Sequence, residues 1–349
     1  VDVVARGVGT LVSSITYGDF SGASYSTAPE GAYYLDVNVA GTANTAATFY
    51  ADLNGLGGGA AVIFASGFLD PSNNQNGADF GLFAALPDGS VVAFPKATGN
   101  ARVQVIHNAA DPAAASVDVY VNELKPSALD DFAFRAATPY IDVPTGIPTL
   151  VKVAAPSSTG PNDAIIAPID FGNALVDGET YVLIANGVVT PGNFAANPDG
   201  NPTGFDIFVA GGQETGLNGS GNVDFLAFHG ATDAPSVDVL ARGVGALVSD
   251  LEYGENSGSP YATAPEGDYF FDVNVAGTQT TAATFYVDLN GLGGGAAVVF
   301  ASGFLDPSVN QNGEDFGLFA ALPNGTVVEF PKATGTARVQ VIHNSPDPV

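Results

Sequence analysis

Three histidines occupy equivalent places in this chain, each four residues before an aspartate: His107 with Asp111, His229 with Asp233, and His343 with Asp347. A carboxylate beside an imidazole can orient it as a general base. No Ser recurs at a fixed distance from these pairs and the chain has no Cys, so the base has no recurring nucleophile to serve. One histidine per repeat is also thin for a metal site. Each histidine shares the parity of the apolar residues before it: Val103 and Val105, Phe225 and Ala227, Val339 and Val341. That parity predicts an inward side chain satisfying backbone groups at a strand end. The chain therefore reads as a non-enzyme, with no catalytic residue assigned.

A second recurring set carries oxygen ligands. Asp70, Asn74, Asn76 and Asp79 lie in one Gly-rich loop, Asn197, Asp199, Asn201 and Asp206 in another, and Asp306, Asn310, Asn312 and Asp315 in a third. Oxygen atoms gathered in a flexible loop suit Ca²⁺. Asn, Asp and Gly are also the ordinary residues of turns, and no EF-hand spacing is present. No cofactor is certain from the sequence; Ca²⁺ is the one candidate. Asn218-Gly219-Ser220 and Asn324-Gly325-Thr326 fit the N-glycosylation acceptor pattern.

The elements that position these residues are short. Val117-Asp118-Val119-Tyr120-Val121 and Ala101-Arg102-Val103-Gln104-Val105 alternate with period two, and turn residues such as Asn54-Gly55 and Asp88-Gly89 separate such runs. This pattern predicts an all-β chain. Residues 237–349 repeat residues 1–113 at a constant offset of 236, with 26 of the 113 positions different. Three signatures recur within that period. A strand ending in His leads through an Asp- and Pro-containing turn to Val-Asp-Val. A Tyr precedes Pro-x-Gly, as in Tyr25, Tyr140 and Tyr261. An apolar run ends in Ala-x-Gly at Gly67, Gly187 and Gly303. The 236-residue unit is thus two diverged copies of one domain, and the expected domains span 1–98, 101–218 and 222–334.

The formal net charge is −27, from 9 Lys and Arg against 36 Asp and Glu. Such a surface repels nucleic acid and anionic lipid. It suits a halophile, whose high salt shortens electrostatic repulsion to a few ångströms, or an ordinary acidic secreted protein. Without Cys there is no disulfide framework and no thiol chemistry. No apolar run reaches about 18 residues, so no membrane insertion is expected.

These signatures resemble the family known as domain of unknown function 4397. The turn His343-Asn344-Ser345-Pro346-Asp347-Pro348 matches its pattern most closely, and the resemblance covers the chain three times over. It implies tandem immunoglobulin-like β-sandwiches in extracellular or cell-surface proteins. It brings no catalytic residues. This chain departs from the pattern at its start, where Val1-Asp2-Val3 stands without a preceding His strand.

That departure sets the functional expectation. Residues 337–349 read as a strand and turn with no domain after them, and the first domain reads as a sandwich lacking its opening strand. Val339, Val341, Ile342 and His343 would add to an acceptor edge at Val1 and Val3 of the next copy. The chain would then be the subunit of a pilus-like extracellular filament, a head-to-tail homopolymer built by donor-strand complementation. One rival reading makes these residues part of a longer tandem array. Another makes them a surface binding or adhesion module, Ca²⁺-dependent or not.

Overall fold

The computed structural model describes residues 1–22, 24–335, 340 and 342. The chain is nearly all β, in largely antiparallel sheets that pair into sandwiches, as the alternation predicts.

The first group of strands is β1 (Asp2–Ala5), β2 (Gly9–Val12), β3 (Ala32–Asn38), β4 (Thr45–Asp52), β5 (Val62–Ser66), β6 (Gly81–Ala85) and β7 (Val91–Ala93). They form a β2-β1-β3-β4 sheet and a β5-β6-β7 sheet. Leu35, Val37, Phe49 and Leu82 lie in the core between them.

The second group is β8 (Gly99–His107), β9 (Ser116–Val121), β10 (Phe132–Ala133), β11 (Ile141–Thr145), β12 (Leu150–Ala154), β13 (Ile169–Asp170), β14 (Thr180–Asn186) and β15 (Asp206–Gly211). Its sheets are β10-β9-β12-β13 and β11-β8-β14-β15. The third group is β16 (Asn222–His229), β17 (Val237–Ala241), β18 (Gly245–Leu251), β19 (Ala262–Pro265), β20 (Asp268–Val275), β21 (Thr281–Asp288), β22 (Ala296–Ser302), β23 (Gly317–Ala321) and β24 (Val327–Phe330). Its sheets are β18-β17-β20-β21 and β19-β16-β22-β23-β24.

The His-ending strands β8 and β16 sit inside their sheets. β8 runs parallel to β14, with His107 opposite Ala185, and β16 runs parallel to β22, with His229 opposite Ala301. The Ala-x-Gly signature has a steric cause. Gly67, Gly187 and Gly303 have φ of +91°, +96° and +84°. A Cβ there would lie 2.1 Å from the Asp79 carbonyl oxygen, 2.5 Å from that of Gly204 and 2.3 Å from that of Asp315. Only glycine lets the chain turn so close to the returning strand.

Successive domains touch. Tyr34 on the outer face of β3 reaches the Thr149 hydroxyl at 3.3 Å, and the Ala32 N–H points to Glu123 at 3.5 Å. Glu123 is itself paired with Lys152 at 2.6 Å, both side chains nearly buried. The first domain thus rests through its β1-containing sheet on the β9–β12 sheet of the second. The second and third meet through the opposite sheets, in an apolar cluster that includes Ile106, Ile184, Phe228 and Phe300.

Candidate functional site: an open strand slot in the first domain

His107 and His229 bond to the backbone of their own turns. His107 is buried; its Nε2–H donates to the Ala114 carbonyl at 2.8 Å and its Nδ1 accepts from the Ala109 N–H at 3.4 Å. These partners specify one neutral tautomer, and burial pushes its pKa down to about 4. His229 repeats the contact, with Nε2 3.0 Å from the Pro235 carbonyl, and burial lowers its pKa as well. The aspartates four residues on do not orient either ring. Asp111 accepts from Ala113 N at 2.9 Å and from Val189 N at 2.9 Å. Asp233 accepts from Leu305 N at 2.8 Å, and from Asp306 N and the Asn310 amide at 2.9 Å each. The His-x3-Asp spacing therefore ties the turn after the His strand to the loop after β14 or β22. His343 and Asp347 lie outside the described residues.

The Asx loops use their side chains on their own turns and on neighbouring segments. Asp70 caps a short 3-10 turn, accepting from the Ser72 hydroxyl at 2.5 Å and the Asn73 amide at 2.6 Å. Asp306 accepts from Ser308 N at 3.0 Å. Asn74 and Asn310 donate to the carbonyls of Asp70 and Asp306 at 2.7 and 2.9 Å. Asn76 and Asn312 serve the turn with φ of +54° and +53°. Asp79 and Asp315 flank the glycine turns described above. Asn197 holds the Thr232 and Ala234 carbonyls, Asp199 holds Ser236 N, and Asp206 caps Ile207 N. Among the described residues, no three Asp, Glu, His or Cys side chains converge as a metal site.

Val1 and Val3, expected as an open edge, do not form one. β1 is an interior strand, with Val3 opposite Val12 of β2 on one side and Val37 of β3 on the other. Among the described residues, β5 is an edge strand. Its sequence matches β22 at the 236 offset: Val62, Ile63, Phe64, Ala65 and Ser66 correspond to Val298, Val299, Phe300, Ala301 and Ser302. β22 lies between β16 and β23 and is buried throughout, whereas β5 pairs only with β6 among the described residues and is exposed throughout. Val62 is 50% exposed against 2% for Val298, and Phe64 39% against 0% for Phe300.

A second segment differs between the first and third domains. Ala262–Pro265 forms β19, which pairs with β16. The corresponding Ser26-Thr27-Ala28-Pro29 shares three of its four residues and forms no strand. Tyr17 and Tyr25 are exposed where Tyr253 and Tyr261 are buried. Among the described residues, no strand takes in the first domain the place that β16 takes between β19 and β22 in the third. Of the expected donor residues, Val339, Val341 and His343 lie outside the described residues, and Ile342 is exposed.

The sequence reading missed Val62–Ser66. The repeat offset could have found them only with the knowledge that β16 pairs with β22, in parallel and some 70 residues on. A scan against protein-family models finds no match, and a search of curated proteins finds none. No helix among the described residues is long and apolar enough to cross a membrane.

Proposed function

We propose that this chain is a structural subunit of an extracellular filament, assembled head to tail by strand addition. Residues 337–343 of one copy enter beside β5 of the next. The contrast between β5 and β22 carries the reading: sequences that differ only at Ile63 and Val299 are exposed in β5, which pairs with β6 alone among the described residues, and buried in β22, which β16 also flanks. Residues 337–344 repeat residues 101–108 without a difference, and residues 101–107 form most of β8 in the second domain. The donor sequence is therefore one that makes a His-ending strand of the required kind.

The β16–β22 register sets the expected pairing. Val341 takes the place of Ala227 opposite Ile63, and His343 takes that of His229 opposite Ala65. Burying about four apolar side chains at roughly 1.5–3 kcal/mol each contributes about 6–12 kcal/mol before ordering costs. Ladder hydrogen bonds add to that. Each copy gives at one end and receives at the other, so the contact propagates unless its rotation closes a ring. High salt would screen the repulsion between subunits of charge −27.

Deletion of residues 337–349 is the test. Electron microscopy of the full chain should show filaments, and the deletion should give folded protein without filaments. Normal filaments from the deletion would refute the proposal. So would monodisperse monomers of the full chain, the outcome expected of a surface binding module or of a slot filled within one molecule.

A further inference from the structure

The second and third domains close their cores differently. In the third, buried residues of both sheets, among them Phe225, Phe271, Val299 and Leu318, form one apolar cluster. In the second they form two. Val117, Val119, Val151 and Val153 belong to the β9 and β12 side, and Ala101, Val103 and Leu183 to the β8 and β14 side. Among the described residues, Val105, Phe171 and Ile207 alone pack against both clusters, and each is only partly buried. Between the clusters lies a cavity of about 60 Å³, bounded by Val103, Val105, Val119, Val151, Leu183 and Ile207 among others. The corresponding space in the third domain is about 30 Å³.

Strand register gives the cause. Counting back from His107 and His229 sets Val103 where the third domain has Phe225. Val151 pairs with Val121 as Phe271 pairs with Ala241, and Ile169 pairs with Val151 as Phe285 pairs with Phe271. Three core phenylalanines of the third domain are thus Val103, Val151 and Ile169 in the second. Phe225 and Phe271 pack ring against ring there, with centroids 6.2 Å apart. Val105 in place of Ala227 returns part of that volume. Tyr181 in place of Ala297 is turned to a loop, where its hydroxyl accepts from the Val176 N–H at 3.3 Å. Val105 and Ala185 lie on strands flanked on both sides and share the inward parity of Val103 and Leu183. Both are nevertheless partly exposed, whereas Ala227 and Ala301 in the third domain are buried. Their exposure is to interior space.

The wall determines what can enter. Its two polar side chains are already bonded: His107 to backbone on both ring nitrogens, and the Thr149 hydroxyl to that of Tyr34 at 3.3 Å. Water or a hydroxylated ligand would give up hydrogen bonds there and regain none. A charged head group would meet no partner.

We propose that the interior of the second domain is a binding site for a small hydrocarbon without polar groups. The guest supplies the contacts that Phe225 and Phe271 supply in the third domain, joins the two halves of the core, and stabilises the domain by mass action. The site lies inside one sandwich and is independent of strand addition.

The experiment is solution NMR on the full chain with isotope-labelled valine methyl groups, titrated with xenon and with n-butane. The chain carries Val341→Asp, which blocks strand entry and keeps it dispersed. Saturating shifts are expected at Val103, Val105, Val119 and Val151. Val151→Phe, which installs the third domain's residue, should weaken xenon binding about tenfold or more by filling the space. Leu183→Ala enlarges the space and should tighten n-butane binding about threefold or more. Absence of saturating shifts at these four valines with both probes overturns the proposal, and this titration needs no core variant to fold. A folded Val151→Phe chain that binds xenon as tightly as before, or a folded Leu183→Ala chain that binds n-butane more weakly, overturns it as well.

Discussion

The substitution Ile63→Ala isolates the strand slot. Ile63 lies on the core side of β5 and is 43% exposed; its counterpart Val299 lies in the third domain's core at 8%. Truncating a fully buried Ile to Ala costs about 2–5 kcal/mol. A half-open site can relax and stay wet, and there the loss is about 1 kcal/mol or less. If strand entry closes the slot over Ile63 as β16 closes it over Val299, the difference falls on assembly. Some 2–3 kcal/mol at about 1.4 kcal/mol per decade raises the critical concentration for filaments roughly 30- to 150-fold. Pelleting filaments across a concentration series and measuring the soluble fraction gives that number. Val299→Ala is the control: it should lower the melting temperature of the third domain and leave the critical concentration within about threefold. An unchanged critical concentration for Ile63→Ala would refute the reasoning, because Ile63 would then not be covered on assembly.

Two further outcomes follow from the polar contacts. His107 is held neutral in the folded state with a pKa of about 4, against about 6.5 unfolded. Its contribution is complete above about pH 6.5 and is lost as pH falls towards 4, because only the unfolded chain takes up the proton there. The change amounts to about 3 kcal/mol at most. Calorimetry should find melting temperature falling through this window, with a shallower slope in His107→Gln; an equal slope would exclude the residue. Asp233→Ala removes the acceptor of Leu305 N, Asp306 N and the Asn310 amide. It should cost about 1–3 kcal/mol in urea unfolding with little change in m-value; a loss below about 0.5 kcal/mol would mean that water satisfies the loop equally well.

The strands and their grouping into three repeats were legible because alternation and turn residues are local signals. The role of Gly67, Gly187 and Gly303 was visible as a recurring Ala-x-Gly, although its cause, a carbonyl oxygen just over 2 Å from where a Cβ would stand, needed the fold. The pairing around Val1 and Val3 was not legible because sequence adjacency is a poor guide to ladder adjacency: in the third domain β17 follows β16 in sequence, but β22 adjoins it in space. Thr27-Ala28-Pro29 and Thr263-Ala264-Pro265 make the same point. One sequence is strand or irregular according to whether a neighbour offers it hydrogen bonds, and no local propensity encodes that. The parity of His107 and His229 foretold side chains bonded to backbone at a strand end, as found; the spacing did not show that Asp111 and Asp233 bond backbone N–H groups of a neighbouring loop rather than the rings.

The like-on-like stacking of the domains explains the length of the internal repeat. The β1-containing sheet of the first domain faces its counterpart in the second, and the second turns its other sheet to the counterpart in the third. Each domain is therefore flipped relative to the one before, and the arrangement returns to its starting orientation only after two. Contact surfaces of two kinds must alternate along the chain, so a single domain cannot be copied in tandem without setting unlike faces together. The smallest segment that can be duplicated with every interface preserved is a pair of domains, and the near-identity at an offset of 236 residues is the mark that such a pairwise duplication leaves.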